Sequence, residues 1–528
     1  MLFQRPKIVK GDQHAGVDGI VLKDVYKREK FWWHYPGLRT LNLLLLGAIC
    51  CDITNGYDGS MLNGLQILPQ WQEYFGHPTS ATLGLISNGT RIGQCGAIFV
   101  IAPIIQKFGR RWPIVFGSAF MLIGIALQTA AQSLAMFVVG RVIIGFGNNI
   151  QQATSLVLLA EIAHPSQRPA VMGIMNTTGS VGQILAAWIT FGTGLHLASS
   201  WSWRLPSLLQ AASSIFQITM GFFMPESPRW LIFNNRREEA REILVKYHAE
   251  GNENDELLKL ELAEIDQALE YEKLQRSSSW LEWIRTPANR HRLFIVLSLG
   301  FIMQWCGNAI ISYYLHLLLD SIGIKGTKTQ LYINGGNTIS GFCFGILWSL
   351  VGDRFGRRFM FLTGMAGMFC AFLLLTVFTG VNQTHNFSNP NLASATVAMV
   401  FIFFAFYKMA GVTQEPYFME IAPYTLRAKT SAIKQFGDAG SNLFSGFVNP
   451  IGLEHIKWKY YIVWCCVLLT NFLTIYLFYP ETKGLSLEEV TQMFDGNEIH
   501  AKEDPAEEEQ NNSGKTPAVE FVEHPSGR

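Results

Sequence analysis

Charged residues are scarce in this sequence. Asp, Glu, Lys and Arg make up 15% of its 528 residues, whereas soluble domains carry about 25%. Hydrophobic residues make up 49%, and the mean hydropathy is positive. The formal net charge of +1 gives no excess of basic residues of the kind that nucleic-acid-binding proteins carry. We therefore expect a protein with several membrane spans, surrounded by lipid and without a nucleic-acid partner.

Motifs of enzymes, metal sites and secretion signals are also missing. The eight cysteines fall in apolar segments without metal-ligand spacing, so we interpret them as buried free thiols. We find no H-E-x-x-H, no P-loop and no G-x-S-x-G, and "GFGNNI" lacks the last glycine of a dinucleotide-binding loop. The N-terminal "MLFQRPKIVKGDQHAG" has no apolar core, so we expect no cleaved signal peptide. We predict a protein that is not an enzyme and needs no cofactor or metal.

Twelve apolar runs have about the length that crosses a bilayer. They lie near 41–65, 82–105, 113–132, 134–160, 170–195, 204–224, 293–319, 329–352, 359–380, 396–421, 429–450 and 459–479. In the polar stretch between the sixth and seventh runs, Leu258, Leu262, Ile265 and Leu269 recur at helical spacing. We predict an all-α membrane protein with twelve transmembrane helices in two six-helix halves, joined by a cytosolic helical loop.

The predicted segments follow from these runs. They are a cytosolic N-terminal segment 1–40, a first half 41–224, a helical linker 225–292, a second half 293–479 and a cytosolic tail 480–528. The short basic loops fall on the side of the linker, which predicts that this side and both termini are cytosolic. The loop between spans 9 and 10 has no Lys or Arg and carries glycosylation sequons at Asn382 and Asn386. We predict both as glycosylation sites, with chance matches as the alternative.

Loop motifs recur six spans apart. "QKFGRR" after span 2 returns as "GDRFGRR" after span 8, and "AEIAHPSQR" after span 4 returns as "MEIAPYTLR" after span 10, as parallel halves would produce. Together with "GRVIIGFG", "PESPRWL" and "PETKGLSLEEV", these motifs resemble the sugar porter family of the major facilitator superfamily. Within it, "NGYDGSMLNGLQILPQW" and "QWCGNAIISYYL" are most similar to the fungal lactose permease and cellodextrin transporter branch.

Asp58 and Arg141 are the predicted proton-coupling residues. Each lies seven residues from the same end of its span, which places both roughly 10 Å below one membrane surface. A carboxylate within a membrane span needs a partner or a function, and either a guanidinium or a proton can neutralise it. The resemblance implies an acid here in proton-coupled members. We predict that Asp58 binds the proton and Arg141 tunes it, with a purely structural ion pair as the alternative.

Amide and aromatic side chains within the spans are the candidate sugar ligands. Asn and Gln both donate and accept hydrogen bonds, and aromatic rings cover the C–H face of a sugar. The resemblance implies sugar contacts for Gln183 and Gln304, whereas Met303 and the early Asn308 depart from the family pattern and predict a reshaped pocket. The predicted set is Gln183, Gln304, Asn308, Asn337, Tyr313, Tyr314, Tyr417 and Asn442. Interhelical hydrogen bonds and, for the tyrosines, a membrane-interface position are the alternatives.

Further charges lie in span 10 and at the cytosolic side. Lys408 is expected to pair with Glu415 or with Asp438, and a structural pair, a substrate contact and a coupling role stay open. The loop charges resemble the inner-face ion network of the family, which holds the two halves in one state of the cycle. This predicted network is Glu161, Arg168, Glu226, Arg229, Asp353, Arg357, Glu420, Arg427 and Glu481. Gln106 replaces one acid of the pattern, which predicts a looser, asymmetric latch.

We predict a monomeric plasma-membrane symporter that couples protons to the import of a disaccharide, such as lactose or cellobiose, or of a hexose, by alternating access. The alternatives are a sugar sensor on the same fold and a transporter of a different small solute, such as a polyol, a quinate-like acid or a secondary metabolite. Sensors of the family tend to have long cytosolic tails, whereas only a short acidic tail follows Val490.

Overall fold

The computed structural model describes residues 31–277, 280–385, 390–422, 426–485 and 487–495, which form helices and no β-strand. The first half contains α1 (Pro36–Ile49), α2 (Cys51–Ile67), α3 (Pro69–Tyr74), α4 (Ser80–Phe108), α5 (Arg111–Thr129), α6 (Leu134–Ile162), α7 (Arg168–His196), α8 (Trp201–Leu209) and α9 (Ala211–Gly221). The linker contains α10 (Pro228–Phe233), α11 (Arg237–Tyr247), α12 (Glu256–Ser277) and α13 (Glu282–Arg285). The second half contains α14 (Pro287–Gln304), α15 (Asn308–Tyr313), α16 (Leu315–Ser321), α17 (Thr327–Val351), α18 (Arg357–Thr384), α19 (Pro390–Ile421), α20 (Arg427–Ile456) and α21 (Tyr460–Phe478), and α22 (Leu487–Asp495) follows.

Several of the predicted spans are interrupted helices. Span 1 is divided at Cys50 into α1 and α2, and span 6 is divided at Gln210 into α8 and α9. Span 7 is divided twice, first at 305–307 and again at Tyr314. Gly307 has φ 87°, a left-handed conformation that favours glycine, and it turns the chain between α14 and α15. This turn orients the residues that follow it, including Asn308, independently of the α14 axis.

Six of the described helical segments are long and apolar enough to cross a membrane. They are Pro36–Ile67, Arg111–Thr129, Leu134–Ile162, Arg357–Thr384, Pro390–Ile421 and Lys429–Phe478. Large apolar side chains are exposed both inside these segments, such as Phe436 on α20 (75%), and outside them, such as Phe99 on α4 (83%), as side chains that face lipid would be. The twelve-span count and the segment boundaries stay predictions.

Small residues bring the helices within each half close together. A Cβ atom on Gly145 of α6 would lie 1.9 Å from the backbone oxygen of Thr90 on α4, and one on Gly93 would lie 1.9 Å from that of Val142. α2 and α7 approach equally closely, since a Cβ on Gly56 would lie 1.9 Å from a backbone oxygen of α7. Because apolar side chains gain little by leaving lipid, such close backbone contact supplies much of the packing energy between membrane helices.

The linker packs on one end of the first half, which we call the linker end. The backbone N–H groups of Gly37 and Leu38 donate to the Glu250 carboxylate at 2.9 and 3.1 Å. His248 contacts the Glu261 carboxylate of α12 at 2.8 Å and the Ile162 carbonyl oxygen of α6 at 3.1 Å. α12 forms the predicted amphipathic helix, with Leu258 buried and Leu262, Ile265 and Leu269 half-buried.

The two halves meet mainly near the opposite end of the bundle. There α4 packs against α20, and α7 packs against α17. The Asn63 amide donates to the Asn334 side-chain oxygen at 2.9 Å, and the Asn88 amide donates to the Leu443 carbonyl oxygen at 3.2 Å. These contacts hold the halves together beside the central cavity.

Replacing Gly145 with alanine tests the close approach of α4 and α6. The added methyl group has no room against the backbone oxygen of Thr90, so we expect a loss of about 1–3 kcal/mol of stability. Gly192 is a matched control, because a Cβ there meets nothing within 4 Å. Thermal unfolding of the full chain in detergent should show a lower Tm for Gly145→Ala and an unchanged Tm for Gly192→Ala. Equal Tm values for the two variants would contradict the packing described here.

Candidate functional site

A central cavity of about 370 Å³ lies between the two halves. Side chains of α2, α4, α6 and α7 line it from the first half, and side chains of α14, α15, α17, α19 and α20 line it from the second half. Many of them are amides: Asn55, Asn63, Gln94, Asn148, Gln183, Gln304, Asn308, Asn334, Asn337 and Asn442. A cavity with this lining suits a polar solute rich in hydrogen-bonding groups.

Asp58 and Arg141 form a buried ion pair in the cavity wall. The two terminal guanidinium nitrogens of Arg141 donate to the two Asp58 carboxylate oxygens at 3.3 and 3.1 Å. The Arg141 Nε donates to the Ile86 carbonyl oxygen at 2.9 Å, and the Gln210 amide donates to Asp58 Oδ1 at 3.3 Å. Arg141 is 1% exposed and Asp58 is 8% exposed. The two groups thus lie at the same depth, as predicted, while the proton-binding role stays a prediction.

The structure brings six of the predicted sugar ligands to the cavity: Gln183, Gln304, Asn308, Asn337, Tyr313 and Asn442. Asn308 accepts a hydrogen bond from Ser312 Oγ at 2.9 Å, and the Asn442 amide donates to the Asp438 backbone oxygen at 3.0 Å. Asn337 is buried, and its side-chain oxygen has no partner in the described part of the chain. Amide groups from both halves therefore face one space.

Two of the predicted aromatic ligands, Tyr314 and Tyr417, do not line the cavity in this structure. Tyr314 is fully buried, and its hydroxyl donates to the Gly446 carbonyl oxygen at 2.6 Å outside the cavity lining. Tyr417 donates to the Pro480 carbonyl oxygen at 2.9 Å and stacks on Tyr479 near the linker end. Tyr314 is the break between α15 and α16, and Tyr417 lies more than two helical turns beyond the cavity residues of α19, so neither side chain reaches the cavity.

The predicted glycosylation at Asn382 is also not compatible with the structure. Asn382 lies within α18 and is 1% exposed, and its amide nitrogen, where a glycan would attach, donates to the Ile322 carbonyl oxygen at 3.0 Å. Asn386, the other predicted site, lies outside the described residues.

The charges of spans 10 and 11 pair differently from either expectation. Lys434 contacts the Glu415 carboxylate at 2.6 Å and the Asp438 carboxylate at 2.9 Å, so both acids share this lysine and not Lys408. The spacing of Lys434 and Asp438 by four residues on one helix is the signal that could have identified the pair. Lys408 instead lies 5.8 Å from the centre of the Phe404 ring and lines the cavity.

Two further charged residues of the cavity were missed. Arg91 of α4 donates to the Tyr313 hydroxyl, and its guanidinium lies 5.5 Å from the ring centre. Asp52 of α2 accepts hydrogen bonds from the Gln152 amide at 2.9 Å and from the Asn55 amide at 3.5 Å. A charged residue inside a predicted span is the signal that both carried.

The linker-end network has matching parts in the two halves. Arg110 contacts Glu161 at 2.8 Å, and Arg357 contacts Glu420 at 3.2 Å. Ser227 donates to Glu161 as Thr482 donates to Glu420. These parallel pairs have the geometry expected of a sequence repeat. Arg110 was not among the predicted members.

Two further acids of the network, Glu226 and Glu481, cap helix starts. Glu226 accepts from the backbone N–H groups of Arg110 and Ser227, both at 2.8 Å, and Glu481 accepts from the backbone N–H of Arg357 at 2.8 Å. Burial raises the pKa of the Glu226 carboxyl, and the backbone hydrogen bonds oppose that rise. Arg168 opens α7, and Arg229 lies in α10, both at this end. The side chains of Asp353 and Arg427 lie outside the described set.

Comparisons with known proteins match this architecture. The family model described as sugar (and other) transporter matches residues 44–494. The chain is 30% identical over 452 residues to the MFS-type transporter oryC of Aspergillus oryzae, with 84% of this chain and 83% of that protein covered. It is 26% identical over 497 residues to a high-affinity glucose transporter of Kluyveromyces lactis, with 90% and 89% covered. The inward-open structure of the xylose transporter XylE from E. coli superposes with a TM-score of 0.70 at 20% identity, covering 86% of this chain and 99% of that one.

Replacing Asn63 with alanine tests the contact between the halves. The change removes the hydrogen bond to Asn334, worth about 1 kcal/mol, so we expect the population open at that end to rise about fivefold. In intact cells, a cysteine introduced at Asn308 of the cavity should then react faster with a membrane-impermeant maleimide. Asn254→Ala, at an exposed linker position, is the control, and a chain without the added cysteine gives the background. An unchanged or slower reaction would show that this contact does not keep the end closed.

Proposed function

The chain belongs to the family of sugar (and other) transporters, and from this premise we propose that it is a proton-coupled symporter that imports a sugar across the plasma membrane by alternating access. The proposed cargo is a disaccharide or a hexose, and the proposed working form is a monomer with both termini in the cytosol. Its candidate binding site is the central cavity, whose volume of about 370 Å³ falls within the roughly 300–1,000 Å³ of small-molecule pockets.

The position of Asp58 carries the proposal of proton coupling. Its carboxylate lines the cavity and is held by Arg141 and Gln210. A proton that binds to Asp58 neutralises its carboxylate. The ion pair is then replaced by a neutral carboxylic acid beside a guanidinium group that has no counter-charge from Asp58. The Arg141 Nε bond to the Ile86 carbonyl oxygen keeps the arginine in place. Protonation therefore changes the electrostatics of the cavity wall without requiring the helices to separate.

The amides of the two halves supply the proposed link between sugar binding and movement. Gln183 belongs to α7 of the first half, whereas Gln304 and Asn308 belong to the second half. A sugar that hydrogen-bonds to both sets stabilises a state in which the halves close around it. Opening at the end opposite the linker then requires the Asn63–Asn334 hydrogen bond to break. Each step exchanges a few polar contacts, which suits a bistable pair of rigid halves.

Uptake by transporter-deficient yeast tests this proposal. Cells that express the full chain should accumulate labelled lactose, cellobiose or glucose, and a protonophore should abolish the accumulation. Asp58→Asn keeps the size of the side chain but removes the titrating group, so we expect accumulation to fall to the level without a proton gradient. Asp266→Asn, in an exposed pair with Arg237, is the matched control at equal surface expression. Uptake that is indifferent to the protonophore and to Asp58→Asn would leave a facilitator with a structural ion pair.

A further inference from the structure

The cavity contains more cationic than anionic side chains. Arg91, Arg141 and Lys408 line it together with two carboxylates, Asp52 and Asp58. The Asp58–Arg141 ion pair is neutral as a unit. Among the side chains that line the cavity, the remaining charges are therefore two cations and one anion, an excess of one positive charge.

Lys408 has no carboxylate within ion-pair distance among the described residues. The two acids of its own neighbourhood on α19 and α20, Glu415 and Asp438, are both bound by Lys434. The contact of its ammonium group is with the face of the Phe404 ring, at 5.8 Å. Asp52 acts on Lys408 electrostatically across the cavity, but the bonds of that carboxylate go to amide donors of the first half.

Arg91 is the second cation without a carboxylate partner in the described part of the chain. Its guanidinium donates to the Tyr313 hydroxyl and lies over the same ring. Tyr407, the neighbour of Lys408 on α19, also lines the cavity and lies within the electrostatic range of Arg91 and Tyr313. Arg91 from the first half and Lys408 from the second half therefore line the same cavity.

We propose that the cargo carries a carboxylate beside its hydroxyl groups, as an aldonic or uronic acid does, and that Lys408 binds this carboxylate. The inference rests on the proposed proton-coupled transport and replaces its neutral sugar by the acid of a sugar as the preferred cargo. A half-buried ammonium group without a counter-ion is costly, and the cost falls when an anion enters. A neutral sugar leaves the excess charge uncompensated, whereas a monoanionic sugar acid cancels it and still satisfies the surrounding amides. Lys408 is thus the residue that determines the preference for the acid over the neutral sugar.

The charge of the cargo sets the net charge that moves across the membrane in each cycle. One proton carried with a neutral sugar transfers one positive charge across the membrane. One proton carried with a monoanion transfers no net charge, so uptake of the acid responds to the pH gradient but not to the membrane potential. This difference can be measured independently of affinity.

Uptake into proteoliposomes that contain the purified full chain tests the inference with matched pairs of solutes. The pairs are gluconate with glucose and lactobionate with lactose, each labelled and driven by an inward proton gradient. We expect the KM for the acid to be lower than that for its neutral partner by roughly tenfold to a hundredfold, the value of a charge-assisted hydrogen bond. Lys408→Gln should remove this preference by raising the KM for the acid alone, and Lys408→Arg should keep it. Lys328→Gln, at an exposed position outside the cavity lining, is the matched control.

The other outcomes separate the two proposals. Two outcomes overturn the inference: proton-driven uptake that favours the neutral sugar, and a KM that rises equally for both solutes in Lys408→Gln. In either case the proposed symport function still holds, and Lys408 is a structural counter-charge for Asp52. Uptake of neither solute contradicts the proposed function. In that case the thermal stability of the purified chain decides the inference: gluconate or lactobionate that raises the Tm of the wild type but not of Lys408→Gln supports it, and no shift with either acid overturns it.

Discussion

A charge inside a membrane protein needs an opposite charge close by, and this constraint organises the polar interior of the transporter. Asp58 is held by Arg141 in the first half, and Glu415 shares Lys434 with Asp438 in the second half. Each of these clusters lies within one half. The Asp58–Arg141 pair is neutral, whereas Lys434, Glu415 and Asp438 together carry one negative charge, and neither sum depends on how the halves are arranged. Arg91, Lys408 and Asp52, which line the cavity, belong to neither cluster.

The ion pairs at the linker end also join residues of the same half. The first arginine of each repeated "FGRR" motif pairs with a glutamate of its own half, Arg110 with Glu161 and Arg357 with Glu420. The acid of each "PE" motif accepts a hydrogen bond from the backbone N–H of that arginine. Within the halves, glycines such as Gly145 allow backbone contact between helices. Rigid units of this kind move against each other by breaking a few contacts at their common surface, such as the Asn63–Asn334 hydrogen bond.

The depth of a residue along its span could be predicted from the sequence, whereas the direction in which its side chain points around the helix axis could not. Counting residues from the helix ends placed Asp58 opposite Arg141, because the rise per residue is constant. Tyr314 does not reach the cavity because the breaks at 305–307 and at Tyr314 change which side chains of span 7 point toward it. Tyr417 does not reach the cavity because α19 extends well past it. Asn382 was predicted to lie in a loop because the apolar run ends near residue 380, whereas the helix α18 continues to Thr384. Lys408 pairs with neither predicted partner, because Lys434, four residues before Asp438, contacts both acids.

The unpaired cations also bear on how a proton and a solute are coupled. In the proposed symport, proton uptake by Asp58 makes the cavity more positive by one charge, and entry of a monoanion makes it more negative by one charge. Each ligand therefore lowers the electrostatic cost of binding the other, and this mutual effect is equal in both directions because binding free energies are linked. A neutral sugar has no such direct effect on the proton and must act through the closure of the halves alone. With Asp58 in the first half and Lys408 in the second half, an anionic cargo couples the proton site to the opposite half through charge as well as through hydrogen bonds.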